Sequence, residues 1–445
     1  MKTGFVNLLI LLLLMGLSSE RSSWAIPTIQ SWQTDNGIPV YFVPAPELPM
    51  VDVEIVFDAG SARDGDKPGL AMLTNSLLNE GAGGHSADQI AEHFDNLGAQ
   101  VSYSVDRDMA TISLRSLTDT KLLQPALEML AVLITQPDFE ASTFERVRQQ
   151  TLAGLKYQQQ SPDAIAERAF YQAVFAEHPY ATLADGTPES VAQLTREDLK
   201  AFHNRYYVAN NVIVAITGAL ARTAAEQLAN TLVKPLVKGD KAPALPPVKP
   251  LIEAKTLHLN HPSTQTHLII GQPGTARKDP DYFTLYVGNY ILGDNGLVSR
   301  LAKAVREERG LAYSVYSYFL PLRETGPFIA SLETRNDQAQ QALQVVQSTL
   351  QDFVEFGPST TELKEAKQGI TGSFPLRIKS NSNIIGYLAV IGFYQLPLDY
   401  LQTFNQKIEA VTLDNIKAVF QRRLQLDKLV TITVGGSPQN PEENR

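Results

Sequence analysis

The sequence contains no cysteine, which excludes disulfides, thiolate zinc sites, iron–sulfur clusters and a cysteine nucleophile together. It has no Lys/Arg-rich run and a formal net charge of −9, so no electrostatic footprint for nucleic acid is present. Neither a G-x-x-x-x-G-K-[ST] phosphate loop nor a G-x-S-x-G nucleophile elbow occurs. Gly84-His85-Ser86-Ala87-Asp88 comes nearest to the elbow, but it lacks the final glycine and follows no strand. It reads as a loop and a helix N-cap. The seven histidines include no H-E-x-x-H or H-x-x-E-H pair. His258, His261 and His267 lie close in sequence, but their context looks like a strand end, where i and i+3 point to opposite faces. A shared metal is not expected there. The apolar run from Phe5 to Leu17 is shorter than the roughly 20 residues that a membrane-spanning helix needs.

What is present is an ordinary globular composition over 445 residues, 44% hydrophobic and 19% charged, enough for two or more cores. Lys2, the short apolar run and the segment Ser22-Ser23-Trp24-Ala25 fit a secretory signal peptide, with Ser23 and Ala25 at the small-residue cleavage positions. Residues 1–25 are therefore expected to direct export to the periplasm, the alternative being an uncleaved anchor. No membrane span is expected in the mature chain.

The rest is written twice. VIVAITG at 212–218 matches LVTITVG at 429–435, and Leu194–Leu199 matches Val411–Ile416 at the same spacing. Ser142–Glu145 matches Ser359–Glu362 likewise, and Gly60-Ser61-Ala62-Arg63 pairs with Gly274-Thr275-Ala276-Arg277. A fixed offset across separate segments marks an internal duplication. Between the copies, Lys234 to Pro250 is proline-rich without a hydrophobic period and reads as a linker. The expected organisation is 26–233, linker 234–250, and 251–445. Val51–Phe57 alternates as a strand, Pro68 opens a helix that Gly81 closes, and Asp88–Leu97 is a second helix. Two strands follow within Val101–Leu117, then helices over Lys121–Ile134, Ala141–Gln160, Pro162–Phe175 and Thr195–Tyr206, and a strand over Val212–Thr217. Strands paired between helices point to an α+β fold of two homologous halves, each a mostly antiparallel sheet packed with helices.

Three segments carry a family resemblance: Pro68–Gly84 (PGLAMLTNSLLNEGAGG), Ser190–Gly218, and Leu297–Ser317 (LVSRLAKAVREERGLAYSVYS). With the element order, they make the chain resemble the insulinase/pitrilysin-type zinc peptidases of the mitochondrial-processing-peptidase branch. Active members carry H-x-x-E-H after G-x-A. Aligned on Gly69-Leu70-Ala71, the ligand positions hold Met72 and Ser76, and the general-base position holds Asn75. The third ligand, a glutamate on a later helix, falls at about Thr151 to Ala153, where no carboxylate stands. A thioether and a hydroxyl are poor zinc ligands, and an amide accepts no proton. Loss of a general base alone costs about 10²–10⁴-fold. No metal is expected in this chain. On its residues alone the stripe of Met72, Asn75, Ser76 and Asn79 is an ordinary solvated helix face.

The resemblance also implies a role for Arg306 and Tyr313 in REERGLAY. Family members use an Arg and a Tyr at this spacing to bind substrate backbone and the reacting carbonyl, as N–H and O–H donors can. On the residues alone, Arg300, Lys303 and Arg306 form a polar helix face over Gly296–Arg309, closed by Gly310, and Tyr313 sits in a strand from Leu311 to Leu320. The resemblance implies a zinc-less subunit of a heterodimeric peptidase, acting on peptides. A homologous partner bearing H-x-x-E-H would supply the zinc. A catalytically inert binding or assembly protein of the same fold is the alternative.

Overall fold

The computed structural model describes residues 26–436; the segment read as a signal peptide lies outside the described residues. Eleven strands form two sheets: β1 (Gln30–Gln33), β2 (Pro39–Pro44), β3 (Met50–Phe57), β4 (Gln100–Val105), β5 (Ala110–Leu117) and β6 (Val212–Gly218) in the first, β7 (Lys255–Asn260), β8 (Gln265–Thr275), β9 (Ala312–Phe319), β10 (Gly326–Arg335) and β11 (Val430–Gly435) in the second. Their orders are β1-β2-β6-β3-β5-β4 and β7-β11-β8-β10-β9. Apart from the extra β1, the two orders correspond strand for strand. Each sheet is antiparallel except for one parallel pair, β2 with β6 and β7 with β11. The repeated VIVAITG and LVTITVG are these corresponding strands β6 and β11, each an interior strand of its sheet and almost wholly buried. Capping boxes at Thr195–Asp198 and Thr412–Asn415 start the corresponding helices Arg196–Tyr206 and Leu413–Arg423. The helices Ala141–Gln158 and Thr360–Arg377 begin 219 residues apart, not 217, so Ser142 and Ser359 are not equivalent: only Ser359 is an N-cap.

Two helices are exchanged between the halves. Pro162–Phe175 belongs to the first half by sequence but packs on β8 and β11, burying Phe170 and Tyr171 against Ile269, Ile329, Val430 and Ile432. Asn381–Phe393 belongs to the second half but packs on β2, β3 and β6, with Ala389 and Phe393 against Val56. Each sheet therefore has one face covered by its own helices and the other by a helix of its twin. The stretch read as a linker is not slack either. Asn211 Oδ1 accepts from Ala242 N at 3.0 Å, Pro243 O accepts from Arg63 at 2.7 Å, and Leu236 and Leu245 are buried.

Where the exchanged elements meet, Asp108 is 2% exposed. Its carboxylate accepts from Tyr180 Oη at 2.6 Å, Tyr394 Oη at 2.9 Å and Arg323 N at 2.7 Å. Asp58 lies alongside, paired with Arg63 at 2.7 Å and with Arg323 at 3.1 Å. Burial, with the Asp108 charge beside them, pushes both tyrosines well above the ordinary phenol range. Replacing Asp108 by Ala strands three donors from three segments. The expected loss is about 3–5 kcal/mol, against about 1 kcal/mol for Tyr394→Phe, read as shifts of the urea unfolding midpoint.

Candidate functional site

The helix at the degenerate zinc motif runs Leu70–Ser76 and does not reach Gly81. Its last turn tightens as Leu77 N and Leu78 N bond three residues back, to Thr74 O and Asn75 O. The chain then turns so that Ala82 bridges to His85 and Pro137. At the other end Gly69 adopts φ 93°, and the buried Asp64 carboxylate accepts from Gly69 N at 2.8 Å and Ala71 N at 2.7 Å. The helix is thus capped from a distance by a carboxylate.

Its second face is only partly solvated: Met72, Ser76 and Asn79 are half-buried, and Asn75 departs from the reading of a solvated face. Asn75 is 2% exposed. Its amide donates to Ser104 O at 3.1 Å and accepts from Tyr207 Oη at 3.0 Å. Ser76 Oγ donates back to Met72 O at 2.8 Å, and Met72 packs against the first core. The stripe looked polar because hydrogen-bonding side chains lie on it, but the partners of Asn75 and Ser76 are internal. Thr151 lies on the helix Ala141–Gln158 and donates to Val147 O at 3.0 Å. Zinc does not fit this donor set. The hydroxyl and the amide are already engaged, and the third position offers no anion. Among the described residues no cluster of three or more His, Cys, Asp or Glu is arranged to hold a metal. Of the second-half histidines, His258 contacts Thr433 and Asn260, His267 faces Glu333 and Asp163, and the buried Nδ1 of His261 has no partner among the described residues.

Arg306 and Tyr313, by contrast, stand together. The segment expected as one helix over Gly296–Arg309 is a 3₁₀ turn Gly296–Val298, a break at the extended Ser299, and a stretch that becomes π-helical over Ala302–Glu307. Glu308 N bonding to Lys303 O marks the wider turn, a geometry frequent at functional sites. It sets Ala302 and Arg306 on one wall of a cavity of about 310 Å³. Gly310, at φ 59°, ends the helix, with Leu311 N bonded back to Val305 O.

The opposite wall is β9. Three steps from Ala312 to Val315 match two on β10, from Thr334 to Leu332. Across this bulge Ala312 and Val315 both stay buried while Tyr313 and Ser314 are exposed, which strict alternation would not allow. The Arg306 guanidinium carbon lies 4.5 Å from the centre of the Tyr313 ring. Tyr313 is 83% exposed, and the guanidinium of Arg306 makes no ion pair among the described residues. A second π turn, Tyr290–Asp294, closes the floor. There a Cβ on Gly293 would fall 2.2 Å from Ser317 Oγ, so only glycine fits. Asn289 and Ser317 clamp the floor to β9 through two buried hydrogen bonds of 2.8 and 2.7 Å. The sequence reading missed Gly293, Asp294, Tyr316 and Tyr318; the run of tyrosines at 313, 316 and 318 was the available signal. Met72, Asn75 and Ser76 are not among the described residues that line this cavity.

Arg300 anchors the helix by a bidentate pair with Glu362, at 2.7 and 2.8 Å, and by a bond to Gly357 O at 3.0 Å. Burial would raise the Glu362 carboxyl, but Arg300 and the N–H and hydroxyl of Ser359 outweigh it and hold it at about 2. A carboxyl lower in the folded than in the unfolded chain stabilises fully above about pH 4.5 and loses that contribution as pH falls towards 2. Between these limits the wild type should lose about 1 kcal/mol, allowing for solvent screening, that Glu362→Gln does not lose, measured by chemical unfolding across pH. At the degenerate motif, Asn75→Ala leaves the buried Tyr207 Oη without its acceptor and removes the bond to Ser104 O. It should cost about 1–3 kcal/mol, whereas a solvated residue would cost about 0.5 kcal/mol or less; thermal unfolding distinguishes the two.

Comparison with known proteins agrees with this architecture. Residues 41–186 match the family model described as insulinase (peptidase family M16), and residues 193–370 match that described as the peptidase M16 inactive domain. An uncharacterized zinc protease YmxG of Bacillus subtilis is 24% identical over 392 residues, 88% of this chain and 94% of that protein. A non-peptidase homolog YmxG of Helicobacter pylori is 26% identical over 410 residues, 91% of this chain and 93% of that protein. A crystal structure described as a peptidase M16 inactive domain, from Pseudomonas fluorescens, superposes with a TM-score of 0.89 at 39% identity, covering 92% of this chain and 98% of that one. With that identity over nearly the whole chain, the protein belongs to the M16, or insulinase, family of peptidases, as a member without the H-x-x-E-H motif.

Proposed function

We propose that this chain is the zinc-less subunit of an exported heterodimeric peptidase, presenting Arg306 and Tyr313 to a peptide held against an H-x-x-E-H-bearing partner. The observation that carries the reading is the pairing itself: a guanidinium with no counter-ion lies against an exposed tyrosine on the wall of an open cavity. Arginine without a carboxylate partner beside a cavity has its donors available for carbonyl oxygens. The phenol adds one O–H donor, which suits an oxygen that becomes negative as a peptide carbonyl is attacked. Zinc and the general base belong to the partner in this reading, since the motif positions here hold Met72, Asn75 and Ser76. The name of the Helicobacter pylori relative is in keeping with a non-peptidase chain. Export to the periplasm rests on the sequence of residues 1–25.

Reconstitution with an H-x-x-E-H homologue from the same cell tests the proposal. The isolated chain should not cleave an unstructured fluorogenic peptide, and the mixture should. In the mixture, Tyr313→Phe should lower kcat at least about tenfold, as loss of an oxyanion donor does, while Arg306→Ala should also raise KM. Both mutants remaining within about twofold in an intact heterodimer would leave the chain as architecture, an inert binding or assembly protein.

A further inference from the structure

A cavity lies in the second half, lined by none of the residues around Arg306 and Tyr313. It measures about 610 Å³, within the range of small-ligand sites, and sits between the start of the helix Tyr282–Asn289 and the helix Tyr400–Glu409. Three cations line it: Arg277, Lys278 and Lys407. None of them forms an ion pair among the described residues. Asp279, which also lines it, is committed to Arg423 at 2.7 and 2.8 Å.

The duplication supplies the comparison that makes this informative. Arg277 is the repeat counterpart of Arg63 in the matching Gly-x-Ala-Arg segments. Arg63 is buried and satisfied, paired with Asp58 at 2.7 Å and bonded to Pro243 O. At the corresponding place in the second half stand Gln272 and Pro273, with no carboxylate, and Gln272 is turned to Arg423 O. Arg277 has a long 3.4 Å contact with Tyr282 Oη and lies over the rings of Tyr282 and Tyr394, 5.7 and 5.4 Å from their centres, and its Nε–H has no acceptor among the described residues. Among the described residues no carboxylate neutralises the Arg277 guanidinium, so an anion in the cavity would meet a charge left without a counter-ion. Lys407 rests on the rings of Phe283 and Tyr400, 5.1 and 5.9 Å from their centres, so its charge is held at the mouth by cation–π contact alone. Phe283, Tyr400 and Leu396 supply apolar wall. In a chain of net charge −9, three unpaired cations around an apolar cavity make a local site of opposite sign.

We propose that this cavity binds a carboxylate carried on an apolar or aromatic body, with Arg277 and Lys407 supplying charge and Phe283, Tyr400 and Leu396 enclosing the body. Two sources share that chemistry: the C-terminal residue of a peptide and a free small acid. The proposal is independent of the function proposed above.

Calorimetric titration of the full chain tests it with three probes: acetyl-Ala-Leu-Phe as the free acid, the same peptide as its amide, and 3-phenylpropionate. The free-acid peptide, the small acid or both should bind below millimolar Kd, and which one binds identifies the source. Arg277→Gln and Lys407→Met should each weaken binding about tenfold, and Lys407→Met, at the cavity mouth, covers the case in which Arg277→Gln fails to fold. Lys364→Met, at an exposed lysine outside both cavities, should leave the titration unchanged. Equal binding of acid and amide, no binding by either acid, indifference to both cation mutants, or loss in Lys364→Met would each overturn the assignment.

Discussion

The two sheets are held as one body by a buried carboxylate that neither half could satisfy alone. Asp108 sits in the β4–β5 turn of the first half, and two of its three donors, Tyr394 Oη and Arg323 N, come from the second. A carboxylate at that depth is tolerable only with its hydrogen bonds made, so the position of one half is written into the polar chemistry of the other. The exchanged helices add the apolar counterpart. Phe170 and Tyr171 complete the core of the second sheet, and Phe393 that of the first. The cavity at Arg306 depends on this frame, because one of its walls is β9, hydrogen-bonded to β10 in the sheet that the exchanged helix Pro162–Phe175 covers.

Much of the fold was legible because duplication and period are local signals. The β6 and β11 repeats, the capping boxes and the paired strands follow from residue type and spacing. The helix exchange was not legible. Pro162–Phe175 has an apolar face, but periodicity does not say which sheet receives it. Proline-rich composition over 234–250 argues against regular structure, but it does not show that backbone carbonyls there, such as that of Pro243, accept hydrogen bonds from side chains such as Arg63.

The site divides in the same way. Arg306 and Tyr313 were found through family resemblance, but their approach depends on a π turn and a one-residue bulge, and neither has a sequence period. At the other position, loss of the motif did not leave an idle surface. Asn75 is tied to Tyr207 and Ser104, and Ser76 bonds within its own helix. Once the catalytic demand for exposed ligands is gone, a buried polar side chain must find internal partners or be costly. The helix that could have served zinc now serves packing.

The helix exchange also bears on how the chain is made. Pro162–Phe175 leaves the ribosome long before β11, which it covers. At a synthesis rate of about 5–20 residues per second, its apolar face waits on the order of tens of seconds for the sheet that buries it. During that interval the nascent first half resembles an aggregation-prone intermediate more than a finished domain. A holdase that keeps the chain unfolded until synthesis ends would suit this topology, and so would translocation that delivers both halves together. Splitting the gene at residues 234–250 would produce two fragments, each exposing one face of its sheet and one orphaned helix.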